Sequence, residues 1–545
     1  MRHEGREGPG GERVLLAALL LLTAVIWLEP AGSFLAEPDE TRYAEIPREM
    51  LAAGDLLVPR LNGVPYFEKP PLLYWVNAAA LRVFGETPWA ARLVTRLAGL
   101  ATMLLVVLAA RRGGRGTGLS AGVLFFAAPM GFLFSRTNLT DGLLTFFFAA
   151  TLLAGRAAVL RLEQGRAWKA MSALAGAAAA GGFLTKGLAA FVLPGAILLL
   201  WSLATRRFLP LLKALVLSPA PLVFLALATP WFLLVERRHP GFLDFFFIRE
   251  HFQRFATRAA KRPGPIHYFV PVFVLGFLPG LPFFLSGAWK ARRRDREGFF
   301  FLLWFAVVFG FFSLSQSKLP PYLFPALPAA AVLAAQGLPE GGMRRLWIAQ
   351  AVLATALATA VLLVPELRAE ARRLELVAIV APALAGLVVA SWAAALFAAR
   401  SPALALTAVA AGWAAFFAGV ALGWPRMPQA RFSTELASAA REAAAPRQAP
   451  IVGYGDYLNG VSWELKSPIP VAAYRGELEP EFETRPEVRE ALFWSREKFW
   501  RLWGSGKPVV ALVRMKDLVE MMAATPNARV VRWAQKHAVV ANFPE

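Results

Sequence analysis

Between residues 37 and 75 the chain carries a dense set of groups able to handle charge and protons. The run 39-DETRYAE-45 places Asp39, Glu40, Arg42, Tyr43 and Glu45 together, with Arg48 just beyond, and 66-YFEKPPLLYW-75 sets Glu68 and Lys69 between aromatic side chains. A carboxylate in such a place can order a nucleophile, take its proton, bind a sugar hydroxyl or stabilise positive character at an anomeric carbon. Lysine and arginine hold phosphate. Carboxylates mixed with cations therefore suit a site that handles a phosphate and a sugar. The same residue types return downstream as Arg136, Asp141, Lys186, Arg249, Glu250, His251, Arg254, Arg262 and Lys318.

Each also has a plainer reading. Asp39 follows Pro38 and Asp141 opens an apolar run, so either is placed to favour a helix N-terminus. Lys186, between two apolar runs, either caps a turn and counters Asp141 or binds an anionic group. Lys318 precedes two prolines that start a new span, where helix amides and a lysine together would hold a phosphate. Glu68 and Lys69 form either a surface pair or, among interfacial aromatics, a pair that a bound group must balance. His251 stands among these charges, but His3, His239, His267 and His537 do not complete a recognised metal-ligand spacing with it.

The elements that must position these residues are membrane helices. Of 545 residues 57% are hydrophobic and the mean hydropathy is +0.49, too apolar for a soluble interior to hide. Thirteen apolar blocks run near 14–34, 88–110, 117–134, 141–160, 170–186, 187–204, 213–235, 266–289, 298–314, 319–337, 346–364, 374–396 and 402–423. Alternate connections are basic, among them Arg13, Arg111, Arg112, Arg166, Arg206, Arg207 and Lys290, which predicts a cytoplasmic N-terminus. The second group of ionisable residues then falls at the opposite, non-cytoplasmic face. The loop 365–373, with Arg368, Arg372 and Arg373, runs against that pattern.

Residues 1–423 read as the transmembrane domain, with external loops at 35–87 and 236–265, and 424–545 as a small external α/β domain with strand-like runs at 449–455, 469–474 and 508–514. The net charge of +21 reads as topology and membrane-lipid contact rather than nucleic-acid binding. The absence of cysteine excludes disulfides, thiolate metal sites and a cysteine nucleophile. A transporter or flippase would place its charges at mid-depth and in matching interrupted helices. Here they gather at one face.

The run 37–63 followed by 66–75, with 183-FLTKG-187, 250-EHFQRF-255 and 313-SLSQSKLPPYLFP-325, resembles the bacterial lipid A aminoarabinose transferases and their relatives in the superfamily of protein O-mannosyltransferases. The likeness runs from about 15 to 340. It implies a GT-C glycosyltransferase fold of about thirteen transmembrane helices, a periplasmic site in the inner membrane, and inverting transfer from an undecaprenyl-phosphate-linked sugar. The acceptor it implies is a lipid A phosphate, the alternative being another sugar passed to a different lipid, polysaccharide or protein. In the family pattern Asp39 and Asp141 are the catalytic carboxylates. Arg42, Tyr43, Glu68 and Lys69 fall on the family's binding residues, and Lys186, Arg254 and Lys318 are the further cations offered to the donor phosphate. No cofactor is required. Some members bind zinc through a histidine matching His251 and a second one near the start of the C-terminal domain. This sequence has no histidine between His267 and His537 to serve as the second, so a structural zinc at His251 remains a bare alternative.

Overall fold

The described parts of the thirteen apolar blocks are mainly helical in the computed structural model, which describes residues 9–29, 33–114, 116–253, 264–293, 297–338, 344–366, 369, 377–474, 476, 478 and 486–544. Within lipid every backbone N–H and C=O must be satisfied by the chain itself, and a helix does so locally. In order the helices are α1 (Pro9–Trp27), α2 (Asp39–Ala53), α3 (Leu72–Phe84), α4 (Pro88–Ala110), α5 (Thr117–Ala127), α6 (Pro129–Arg136), α7 (Thr140–Glu163), α8 (Lys169–Lys186) and α9 (Ala189–Ala204). They continue with α10 (Pro219–Arg238), α11 (Phe269–Gly276), α12 (Leu281–Lys290), α13 (Gly298–Leu314), α14 (Leu327–Gly337), α15 (Arg344–Leu363), α16 (Val377–Phe397), α17 (Pro402–Gly423), α18 (Pro428–Ala444) and α19 (Asn459–Leu465).

Among the described residues seven helices are long and apolar enough to cross a membrane, or nine segments if two bent pairs each count as one. One pair is α5–α6, bent by 71° where Ala128 turns extended ahead of Pro129; the other is α11–α12, bent by 81°. The shorter or less apolar α8, α9, α13 and α14 occupy the remaining blocks. The chain is a multi-pass α-helical membrane protein.

Contacts divide it into two compact units: residues up to 29, 92–234 and 243–423 form the first, and 30–91, 235–242 and 424–545 the second. In the first, α7 packs on α8, α16 on α17, and α12 on α14. A Cβ on Gly287 of α12 would lie 1.9 Å from the Leu333 carbonyl oxygen, and one on Gly337 of α14 lies equally close to that of Phe283. The two backbones touch there, the small-residue packing that joins helices lacking a hydrophobic drive between them. Trp304, Trp347 and Trp413 are fully buried in the same core.

The second unit contains α2, α3, a short antiparallel hairpin of β1 (Arg60–Leu61) and β2 (Val64–Pro65), and a six-stranded sheet. The sheet strands are β3 (Ile451–Tyr454), β4 (Val471–Ala472), β5 (Phe493–Trp494), β6 (Val510–Arg514), β7 (Arg529–Ala534) and β8 (His537–Ala541), ordered β5-β4-β3-β6-β8-β7. β3 runs parallel to β4 and β6, while β8 runs antiparallel to β6 and β7. The three strand-like runs of the sequence became β3, β4 and β6. The β7–β8 hairpin, which turns through Gln535 at a φ of 59°, went unread.

At the end of β3, Asp456 accepts from Arg514 at 2.7 Å and stands 2.9 Å from His537. Burial alone would raise its pKa, but the hydrogen bonds from His537 and Arg514 outweigh that and hold it at about 2. A carboxyl depressed on folding contributes stability that is complete above its unfolded value and is lost as pH falls through the folded one. We expect the sheet to lose on the order of 2 kcal/mol between pH 3.8 and about 2, read as faster amide exchange in β3, β6 and β8 of the full chain. Asp456→Asn should flatten that acid dependence.

Candidate active site

The sequence-chosen residues fall into a set in each unit. In the second unit, α2 starts at Asp39, and Asp39 and Glu40 in its first turn complement the helix dipole. Gly54, at φ 64°, closes its other end by donating to the Leu51 carbonyl, and Asp55 donates to that of Met50. The Asp39 Oδ1 accepts from the Arg42 Nη1 at 2.9 Å; the Asp39 side chain is 41% exposed and that of Arg42 only 11%. Tyr43, one residue on, is buried, with its ring 6.2 Å from that of Tyr74, and the Asn77 amide donates to its carbonyl. Asp39 is thus an open carboxylate oriented by a largely buried guanidinium, a geometry able to meet a ligand oxygen or proton.

The remaining charges of α2 have different work. Arg48 donates twice to Glu45, at 2.7 and 2.6 Å, and once to the Lys466 carbonyl. Glu49 accepts from the amides of Asn62 and Gly63, at 2.6 and 2.8 Å, which fixes the β1–β2 turn to the helix. Glu37 accepts from the Gly460 amide at 2.6 Å, at the start of α19. Burial pushes Glu37 and Glu45 up; burial and then the neighbouring Glu45 push Glu49 to about 8. These are internal ties of the unit, and the high charge density of 39–49 comes as much from them as from chemistry.

Glu68 and Lys69 follow the hairpin. Their side chains stand 3.9 Å apart, a loose pair, and the lysine also donates to the Glu68 carbonyl at 2.9 Å. The adjacent Phe67 is buried against His239 and Phe242.

In the first unit, Asp141 in the first turn of α7 meets Lys186, the last residue of α8, at 2.5 Å. Each charge sits at the helix end whose dipole favours it. Gly187, at φ 81°, turns the chain away into the next helix. The ammonium also lies 4.9 Å from the centre of the Tyr322 ring. A Cβ on Gly142 would come within 3.0 Å of the Phe134 carbonyl and 3.5 Å of Thr95, so the start of α7 is pressed against α6 and α4.

Lys318 is 5% exposed and donates to the carbonyls of Phe312, Ser313 and Ser315, at 3.3, 2.7 and 2.7 Å. It turns back to cap the C-terminus of α13, so a phosphate would have to compete with three satisfied hydrogen bonds. Arg254 lies outside the described residues, as does the side chain of His251, whose backbone belongs to the π-helical stretch Phe245–Gln253. Among the described residues no three His, Asp or Glu side chains gather as metal ligands.

Sequence reasoning singled out Arg136 but passed over the cluster beside it. Glu29, just after α1, accepts from Arg92 at 2.7 Å and from Arg96, both on α4, and Arg136 donates to the Leu28 carbonyl at 3.0 Å. Arg96 is fully buried. The signal was present: two arginines four residues apart in an otherwise apolar helix require a partner.

Residues 14–246 match the family model described as dolichyl-phosphate-mannose-protein mannosyltransferase. An undecaprenyl phosphate-alpha-4-amino-4-deoxy-L-arabinose arabinosyl transferase of Proteus mirabilis is 34% identical over 59% of this chain and 58% of its own length, and one of Sodalis glossinidius is 37% identical over the same shares. The chain thus spans under two thirds of the relatives it matches in sequence. A crystal structure of ArnT from Cupriavidus metallidurans bound to undecaprenyl phosphate superposes with a TM-score of 0.83 at 28% identity, covering 97% of both chains. An archaeal oligosaccharyltransferase from Archaeoglobus fulgidus, 13% identical, covers 95% of this chain and 71% of its own with a TM-score of 0.51, a likeness of fold alone.

Proposed function

We propose that this chain, which belongs to the GT-C superfamily of the aminoarabinose transferases and protein O-mannosyltransferases, moves 4-amino-4-deoxy-L-arabinose from undecaprenyl phosphate to a phosphate of lipid A. The observation that carries the reading is the likeness, over 97% of both chains, to ArnT bound to undecaprenyl phosphate. The orientation that goes with it is a cytoplasmic N-terminus and a periplasmic site in the inner membrane, which agrees with the basic loops.

Transfer is a single displacement with inversion. An oxygen of the acceptor bonds to the anomeric carbon as the bond to the donor phosphate oxygen breaks, and the electron pair leaves with polyprenyl phosphate. In the family resemblance the growing negative charge falls to some of Lys69, Arg254, Lys186 and Lys318, and Lys318 would first give up its capping bonds. Asp39 holds the acceptor, aided by Arg42 and Tyr43, and Asp141 holds Lys186 in place. A phosphate acceptor arrives already anionic. No step runs through a metal.

The match of residues 14–246 to the mannosyltransferase family favours a second reading, in which the acceptor is a protein hydroxyl and Asp39 takes its proton. Mass spectrometry of lipid A from cells with and without the intact gene separates the two. An aminoarabinose mass addition that requires the gene supports the first; unmodified lipid A despite folded protein and available donor rejects it.

A further inference from the structure

One basic cluster of the loops has no part in sugar transfer. Arg13 of α1 and Arg111, just past the end of α4, line a cavity of about 750 Å³ in the first unit with Glu12, Leu16, Val107 and Leu119. Arg111 lies fifteen residues beyond Arg96 along the chain, about 22 Å at the helical rise. The cavity is therefore at the opposite end of α4 from Glu29 and Arg92. Among the described residues neither Arg13 nor Arg111 forms an ion pair, whereas the adjacent Arg112 reaches Glu297 at 3.2 Å. Two guanidiniums against the carboxylate of Glu12 leave the wall net positive.

Its surroundings are apolar and open. Leu16 and Leu20 on α1, and Leu104 and Leu108 on α4, are each about half exposed. Both helices are long and apolar enough to cross the bilayer, so these leucines are placed to meet acyl chains. A free anion would use the arginines alone. A lipid uses both the charged wall and the leucines leading from it.

We propose that this cavity seats the phosphodiester headgroup of an anionic phospholipid, held by Arg13 and Arg111, with its acyl chains along α1 and α4. The site is independent of the transfer reaction and needs no donor to be observed. The test is native mass spectrometry of the full-length protein titrated with phosphatidylglycerol or phosphatidylethanolamine. Wild type should retain phosphatidylglycerol preferentially, and R13Q/R111Q should retain it about thirtyfold less, the loss of two basic contacts at a membrane surface. R13K/R111K should keep most of the binding. Equal retention of the two lipids by wild type would overturn the site, as would unchanged retention in R13Q/R111Q or displacement of the lipid by inorganic phosphate. Should R13Q/R111Q fail to fold, Leu16→Trp narrows the cavity with its charges intact and must lower phosphatidylglycerol retention by itself; unchanged retention there refutes the proposal equally.

Discussion

Asp39→Asn is expected to lower the initial rate of sugar transfer by about 10²- to 10⁴-fold, the range for loss of a positioned acid–base group, at unchanged melting temperature. The substitution is isosteric and removes only the charge. Asp39 is 41% exposed, so its contribution to stability is that of a surface pair, within about 1 kcal/mol. The rate carries more information than its size. With a hydroxyl acceptor the loss falls on kcat, because a base is gone. With a phosphate acceptor, already ionised, the loss falls mainly on the KM for the acceptor, since Arg42 is no longer held by a carboxylate at 2.9 Å and turns to other partners. Rates measured in proteoliposomes with purified donor and lipid A distinguish these. Wild-type rates from the variant would remove Asp39 from the mechanism.

Glu29→Ala is expected to destabilise the protein by about 3–5 kcal/mol, the effect of removing one partner from a buried charge cluster. Glu29 is the carboxylate that both Arg92 and Arg96 reach, and their side chains are 4% and 0% exposed. Without it two guanidiniums in a low-dielectric interior lose the carboxylate that both of them reach, more costly than the lost hydrogen bonds themselves. Thermal unfolding in detergent, with retained monodispersity as the folding control, should show a drop of several degrees. Glu29→Gln should fall between wild type and alanine, because it keeps acceptor geometry but not charge. Identical melting of all three would show that Glu29 is dispensable for holding these arginines.

Much of the architecture was legible in the chain. Among the described residues, apolar blocks marked the seven long membrane helices and both bent pairs, because hydrocarbon admits few other backbone solutions, and three strand-like runs announced an α/β sheet. Asp39, Arg42 and Tyr43 stood out because charges gathered among apolar blocks demand a reason, and the motif likeness supplied one. The Asp141–Lys186 pair was among the alternatives read for Lys186; the fold realised it across 45 residues. Lys318 was read forward, into the helix that follows, yet its ammonium turns back to carbonyls three to six residues earlier. The helix dipole favours that direction, since a cation belongs at a C-terminus.

The amino-acid sequence by itself determined which segments seek lipid and which residue types are available for phosphate and sugar chemistry, since both follow from composition and local spacing. Only the tertiary structure decided which of those charges are spent inside the protein. Glu49 is committed to amides 13 and 14 residues away, Arg48 to a carbonyl 418 residues away, and Glu29 to arginines 63 and 67 residues away. A buried charge must be satisfied by whatever the fold brings beside it, and that pairing has no local signature along the chain.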